Sequence, residues 1–457
     1  MKTNHQILQE LNEAEIKNGL YTISINKVPL WRIVRFNVRI KYLNDKTGFK
    51  NKTSDRGVGI LELIKYFFLS FFQLVKIFFF KRTEKNLIVA FPRLFEVNDS
   101  FIDKFTDPVI YNTELKKDYI IFQHSFGRSH FQPRKGMHKV IYCDFIDIIS
   151  RVLSIIVYPF FLFKYNNLFN ELIDRMENIY NNINKKAIIE DFIIFEISQK
   201  IYSFLFRRMN IENLFIVNRQ IFNFIIYSAK NSNINVYEFQ HGITQTETPL
   251  YTGPYIEGFD PDNFLVFGEA WINEYYGIPK EKIINIGWAY RDYVKKALLE
   301  INNATKDTFL VISSPAITQK LLDFVFEAIE FNNNFKFDLR LHPQEKMNPD
   351  QLKLIDVNPN VRVIDNKEES VFSISRYEVI IGDNSSVLYE ALSIGKKVGK
   401  INMNQIFTRK IEEDLKNGFY IISNFNDLIL ISNKQKNSSS EYYYSTFEPE
   451  KINQLIK

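Results

Sequence analysis

Residues 235–252, NVYEFQHGITQTETPLYT, decide how this chain is read. The first five, NVYEF, are an apolar and aromatic run of strand character, and the run breaks at Gln240-His241-Gly242. A polar segment with Thr244, Thr246, Glu247 and Thr248 follows. A strand that ends in a loop carrying His and Gly is how open α/β sheets build sites, because ligands bind beyond the carboxyl ends of their strands. Gly242 lets backbone approach a ligand closely, and His241 can move a proton near neutral pH. The competing reading is a plain turn with a hydrogen-bonded imidazole.

The same rhythm recurs on either side. Before it stand NLIVAF (86–91), DYIIFQH (118–124), KVIYCDF (139–145) and NLFIVN (213–218), with an amphipathic helical stretch over 166–210. After it stand FLVFG (264–268), IINIGW (283–288), TFLVISSPA (308–316), FKFDLRLHP (335–343), VRVID (361–365) and YEVIIGDNSS (377–386). Strands alternating with helices predict parallel pairing in an α/β fold. A chain of 457 residues is too long for one ordinary core, so two domains are expected. The pattern gives an N-terminal segment over 1–85, a first Rossmann-like domain over 86–260 and a second over 261–430. Residues 431–457 form a tail with a short helix, and Asp260-Pro261-Asp262 reads as a linker turn.

Composition narrows the function classes. Hydrophobic residues make up 46% and charged residues 24%, the balance of a folded protein. The single Cys143 excludes an internal disulfide framework and a Cys-based zinc site, and fits a reducing compartment. Net charge is only +5, and no basic stripe with interleaved aromatics crosses the βα region, so nucleic-acid binding is not expected. The polar, helical N-terminus has no apolar signal core, so secretion is not expected either.

Two segments bear on membranes. Arg32, Arg35 and Arg39 share one face of a helix. They are read as a solvated surface, the alternative being a basic face for phosphate or lipid. Residues 60–82, ILELIKYFFLSFFQLVKIFFFKR, are the most apolar part of the chain. At about 100° per residue Glu62, Lys65, Gln73 and Lys76 fall in one narrow sector, leaving a broad Phe/Leu/Ile face. That is an amphipathic helix suited to a membrane interface, the alternative being a helix buried in the protein's own core. A second apolar run, VLSIIVYPFFLFKY (152–165), reads as too short to span and as broken at Pro159.

Three strand-end loops carry the chemistry: Gln240-His241-Gly242, Arg340-Leu341-His342-Pro343, and Gly382-Asp383-Asn384-Ser385-Ser386. The third runs into VLYEALSIGKKV, helical in pattern. A Ser pair at a helix start offers hydroxyls and free backbone N–H groups where the helix dipole favours an anion. Glu390 lies about one turn further on, where a carboxylate can accept hydrogen bonds from ribose hydroxyls. A plain helix cap and a structural histidine are the alternatives.

Taken together and in this order, VYEFQHG, GIPKEKIINIGW (277–288), RLHP (340–343) and GDNSSVLYEALSIGKKV (382–398) resemble the two-domain GT-B glycosyltransferases. More narrowly they resemble bacterial enzymes of surface-polysaccharide synthesis: capsular Kdo transferases, polysialyltransferases and the glycerophosphotransferases of teichoic-acid synthesis. The resemblance covers residues 210–400; the first 200 residues share only the strand–helix rhythm. It implies two Rossmann-like domains facing across a cleft, to which the reading of residues 60–82 adds an N-terminal helical membrane-associating region. It also implies that His342, Ser385 and Ser386 contact the donor's nucleotide phosphate, that Glu390 holds the donor ribose, and that His241 lies at the reaction centre. The chain departs from the glycerophosphotransferases at Gln240, where they commonly carry Trp, and in TQTETPLY after the Gly, so a sugar donor is preferred.

Glycosyl transfer needs a base for the acceptor hydroxyl and stabilisation of a departing phosphate. His241 leads as base, with Glu247 and then Glu238 as rivals. Arg340, His342 and the Ser385-Ser386 helix start can stabilise the phosphate, with Gln240, Gly242, Gly287, Ser313, Ser314 and Asp383 as further cleft residues. No DxD motif stands at a strand end, so no metal or other cofactor is expected. The expectation is an inverting glycosyltransferase at the cytoplasmic face of the cell membrane. It would move a sugar from a CMP- or UDP-linked donor to a lipid-linked or growing surface polysaccharide. A nucleotide-sugar 2-epimerase, a polyol-phosphate transferase and a non-catalytic, membrane-bound glycan-binding scaffold are the alternatives.

Overall fold

The computed structural model describes residues 4–47, 59–80, 82–92, 94–97, 100–125, 134, 139–243, 251, 253–272, 277–299, 305–313, 317–342, 345, 347–365, 368–383, 385–401, 411–434 and 441–457. One sheet consists of β1 (Asn86–Val89), β2 (Tyr119–Gln123), β3 (Val140–Tyr142), β4 (Asn213–Val217), β5 (Asn235–Phe239), β6 (Asn263–Val266) and β7 (Ile283–Asn285). All pair in parallel, in the spatial order β7-β6-β5-β4-β1-β2-β3. A second parallel sheet holds β8 (Thr305–Ile312), β9 (Lys336–Arg340), β10 (Val361–Ile364), β11 (Tyr377–Gly382), β12 (Lys397–Ile401) and β13 (Phe419–Ile422), ordered β10-β9-β8-β11-β12-β13. Strands such as NLIV and NLFIV are buried along their whole length, because parallel sheets are covered on both faces. Each sheet therefore grows outward from its first strand in both directions. The order reverses between β1 and β4 in one and between β8 and β11 in the other, and such a reversal opens a crevice at the carboxyl edge. This is the two-domain, GT-B-like architecture.

The division between the domains differs from the one drawn on the sequence. β6 and β7 lie in the stretch assigned to the second domain over 261–430. Yet Asn263 aligns with Tyr237 of β5, and Phe264 with Ile283. The open edge of β5 is completed by the next apolar run, so the first sheet continues to Asn285 and the second begins at Thr305. The supposed linker turn at 260–262 is a packed corner: Asp260 pairs with Arg32, and the Asp262 carboxylate accepts from Val236 N at 2.8 Å.

The helices of the first domain include α1 (Asn4–Lys17), α2 (Leu30–Thr47), α3 (Ile60–Phe79), α4 (Asp144–Glu177) and α5 (Lys185–Arg208). Leu8, Trp31, Phe169 and Phe192 belong to the core that joins α1 and α2 to α4 and α5. Here the arginine triplet departs from its reading as a solvated surface. Arg32, Arg35 and Arg39 are all buried, and Arg39 Nε donates to Glu15 at 2.6 Å. Three long stems of one helix face were packed inward because buried carboxylates wait for two of the heads: Glu15 for Arg39 and Asp260 for Arg32. Pro159 does not break its segment either. It lies at an exposed position inside the continuous 34-residue α4, which also makes the segment longer than the run 152–165 read from the sequence.

α3 docks by its small and polar residues. Ser70 Oγ donates to Tyr142 O at 2.5 Å, Gln73 Nε2 donates to Val140 O at 3.0 Å, and Tyr142 N donates to Gln73 Oε1 at 2.9 Å. These bonds satisfy the outer rim of β3, an edge strand that would otherwise present unpaired backbone. Ser70, Leu74 and Ile77 are its buried residues, whereas Ile60, Leu61, Phe68, Phe72 and Phe79 are exposed. The apolar face of the helix is thus turned away from the protein, the opposite of a core helix.

In the second domain β11 leads into α6 (Ser386–Ser393). The chain then returns to the first domain over residues 441–448 and ends in α7 (Pro449–Leu455). Ser445 N donates to Phe267 O at 2.8 Å, Trp288 N donates to Ser445 O at 2.9 Å, and Tyr237 Oη donates to Leu455 O at 3.1 Å. One hydrophobic core, including Phe239, Trp271 and Trp288 on one side and Leu388, Tyr389 and Phe419 on the other, runs through both domains.

Candidate functional site at the facing sheet ends

In the second domain Ile312 of β8 aligns with Arg340 of β9 on one side and Gly382 of β11 on the other. Three loops therefore leave the sheet at one level: Ser313 after β8, Leu341-His342 after β9, and Asp383 to Ser385 after β11. With strands about 4.8 Å apart, His342 and Ser385 emerge about 10 Å from each other, with Ser313 between them. This edge contains the crevice between β8 and β11. Ser385 caps α6, its side chain accepting from Val387 N at 3.3 Å, and Ser386 begins the helix. The Asp383 Oδ1 atom is buried without a hydrogen-bond partner, and burial raises the pKa of that carboxyl despite Lys400 and Lys320 nearby.

Glu345, which the sequence reading passed over, fixes this edge from beneath. Its Oε2 accepts from His342 N at 2.9 Å, and its Oε1 accepts from Ser313 Oγ at 2.7 Å and from the Thr318 hydroxyl. Arg340 plays a different part from the one expected of it. Its guanidinium donates to Ser373 Oγ at 2.7 Å and to Glu368 O at 2.5 Å, so it braces the turn before the Ser370–Ser375 helix. An arginine at the last position of a strand satisfied its donors on the neighbouring connection, which a linear motif does not reveal.

In the first domain His241 follows β5, half-buried between two aromatic rings. Phe91 lies 4.4 Å away between ring centres and Phe105 5.4 Å. Asp103 holds both: it accepts from Phe91 N at 2.8 Å and from Phe105 N at 3.0 Å. Behind it Asp107, paired with Arg134, has its pKa pushed up to about 6 by burial. Gln240 is fully buried; its Nε2 donates to Gly242 O at 2.8 Å and its Oε1 accepts from Phe267 N at 2.8 Å. The residue thus ties the His loop to the end of β6. Gly242 adopts φ 68°, the left-handed turn for which glycine is suited. Glu238 is fully buried and receives Arg219 N at 2.8 Å, which places it inside the domain and away from any acceptor.

The two edges meet through a lysine. Lys104, next in sequence to Phe105, donates to Glu390 of α6 at 2.9 Å and to Glu369 at 3.4 Å. Ser370 Oγ donates to the other oxygen of Glu390 at 2.9 Å. Burial works against the charge on Lys104, but the two carboxylates outweigh it and raise its pKa. The contacts run from His241 to Phe105, from Lys104 to Glu390, and one turn back to Ser386. The His loop, α6 and the 313/342/385 edge therefore form one neighbourhood. Gly287 stands apart from it: at φ 76° a Cβ there would lie 2.1 Å from Thr446 O, so this glycine admits the returning C-terminal strand of chain. Glu247 and Ser314 lie outside the described residues. Among the described residues no group of three or more His, Cys, Asp or Glu could hold a metal ion.

Such an arrangement can seat an anion on the α6 start and bring an imidazole to it from the other domain. No protein-family model matches the chain, and no curated protein does. Solved structures do. The UDP-GlcNAc 2-epimerase from Methanocaldococcus jannaschii superposes with a TM-score of 0.50 at 13% identity, over 82% of this chain and 99% of that one. The UDP-N-acetylglucosamine 2-epimerase from Rickettsia bellii gives 0.49 at 12% identity, over 82% and 96%. A wall teichoic acid polymerase, TagF, gives 0.41 at 12% identity, over 94% and 98%. At these identities the likeness is one of fold, and the residues of the site must carry the chemistry.

Proposed function

We propose that this protein is a glycosyltransferase. It binds a nucleotide sugar on the second domain and transfers the sugar, with inversion and without metal, to a lipid-linked or growing surface glycan held by the first. The observation that carries this reading is that Ser313, His342 and the Ser385-capped start of α6 leave the second sheet at one crevice, while α6 is tied through Glu390 and Lys104 to the segment whose Phe105 ring packs on His241. In this reading the departing nucleotide phosphate sits on the N–H groups of α6 beside His342. His241 accepts the proton of the acceptor hydroxyl, helped by Phe91 and Phe105, which keep the ring in place and exclude water. Glu390 is buried with its oxygens held by Lys104 and Ser370, so in this reading it would meet the donor ribose only by giving up one of these partners as the nucleotide enters.

The exposed apolar face of α3 supports a position at the inner face of the cell membrane, where a lipid-linked acceptor would be found. A second reading, a nucleotide-sugar 2-epimerase, is favoured by the fold likeness to the Methanocaldococcus jannaschii enzyme. The two separate in one experiment: the protein is incubated with UDP- and CMP-sugars, with and without lipid-linked glycan, and the products are resolved. Acceptor-dependent release of nucleotide and a lengthened glycan are expected. Interconversion of the free nucleotide sugar without acceptor would replace the transferase reading.

A further inference from the structure

The apolar surface does not stop at α3. Along α4 the residues Phe145, Ile149, Val152, Ile156, Phe160 and Phe163 recur at helical spacing. Phe145 and Ile149 are partly exposed, and the last four are 46%, 66%, 60% and 89% exposed. The stripe starts where the two helices touch: Phe145 packs on Phe67 and Phe71 of α3, each at 5.2 Å between ring centres. It then runs for 18 residues, about 27 Å at 1.5 Å per residue. Two exposed apolar faces are therefore one continuous surface.

Basic side chains border it. At about 100° per residue Lys164 borders the α4 stripe on one side; on the other, exposed Ile155 widens it, and Arg151 lies beyond that residue, both cations being exposed. Lys65 and Lys76 border the α3 face, and the Arg208 guanidinium lies over Phe78, 5.0 Å from its ring centre. An acidic residue, Glu62, stands at the rim too, in the first turn of α3. An apolar stripe with cationic edges matches the acyl boundary and anionic headgroups of a lipid leaflet.

α4 is long and apolar enough to cross a membrane. Its other side argues that it lies along the surface instead. That side packs on α5, with Ser150 and Ser198 hydroxyls 3.0 Å apart and Phe161 against Phe192 at 6.1 Å. α5 carries Glu190, Asp191, Glu196 and Lys200. A crossing α4 would pull those charges into hydrocarbon, which is costly.

We propose that the joined α3–α4 face is a bilayer-docking surface that lies in the headgroup region of an anionic membrane. The inference rests on the membrane position in the reading above and is independent of the transfer reaction. The full-length protein is sedimented with vesicles of phosphatidylcholine alone or mixed with phosphatidylglycerol, with no nucleotide or acceptor present. Binding to the mixed vesicles is expected to exceed binding to the neutral ones roughly 25-fold, two flanking cations each contributing about a factor of five. The variants Ile156→Ser/Phe160→Ser/Phe163→Ser and Arg151→Glu/Lys164→Glu should each lose most of that binding. Their unchanged melting temperature and nucleotide-induced thermal shift would show that fold and donor site survive. Full vesicle binding by both variants, no vesicle binding by the parent protein, or a concentration-dependent dimer that the α4 variant dissolves would each overturn the proposal.

Discussion

Lys104 of the first domain donates to Glu390 of the second, Nζ to Oε1 at 2.9 Å, and both side chains are buried. A buried pair is poor evidence for net stability, but removing one partner strands the other charge. Lys104→Met leaves Glu390 and Glu369 without their cation and should cost about 3–5 kcal/mol, read as a large fall in melting temperature. Adding Glu390→Gln to Lys104→Met should recover part of the loss. A Lys104→Met protein as stable as the parent would mean that the lysine does not tie the domains.

Glu345 gives a second test. Glu345→Ala removes the acceptor for His342 N–H and for the Ser313 hydroxyl, each worth about 1–3 kcal/mol if left buried and unpaired. The loosened edge should weaken nucleotide binding roughly tenfold by calorimetry. His342→Ala should weaken it too. If Glu345→Ala lowers only the melting temperature and leaves nucleotide affinity intact, its role is confined to folding.

The parallel sheets were legible because their strands are short unbroken apolar runs, a pattern that burial on both faces imposes. The site loops were legible because His, Gly and paired Ser at strand ends are unusual there. The domain boundary was not, since a turn such as 260–262 looks the same within a domain as between domains. Lys104, Glu345 and Asp103 were missed for a common reason. Each stands outside the chemistry motifs and acts by hydrogen bonds that the linear pattern does not show, and for Lys104 the partner Glu390 is 286 positions away. Arg340 and Gly287 were given to the cleft on local pattern, and tertiary partners at Ser373 and Thr446 claimed them. The arginines of α2 were misread for the same reason, their buried partners being invisible along the chain.

A pH test follows from His124 at the end of β2. Its Nδ1 donates to Asp147 at 2.9 Å and its Nε2 meets the Tyr202 hydroxyl at 2.9 Å, with Cys143 alongside. Burial disfavours the imidazolium, but Asp147 and Cys143 outweigh it and raise the pKa well above the usual histidine value. A folded-state pKa above the unfolded one, about 6.5, means the contribution is fully present below that pH and lost as pH rises through the folded value. Stability should fall by about 1.4 kcal/mol per pH unit across that window. Urea midpoints from acid to alkaline pH should show the decline in the parent protein and a flatter profile in His124→Gln. An identical slope in both would assign the dependence to another group.

His241 is the sharpest test of the reaction. The rings of Phe91 and Phe105 fix it, and Asp103 fixes the rings, so His241→Ala removes a proton acceptor without disturbing the donor edge, which belongs to the other domain. Turnover should fall roughly 10²–10⁴-fold, the range for loss of a general base, while nucleotide affinity stays near that of the parent. His241→Gln, similar in size but unable to take a proton, should behave like the alanine variant. A pH–rate profile of the parent should lose its acidic limb in both variants. Normal turnover in either would remove His241 from the chemistry and leave Glu247 as the base to test.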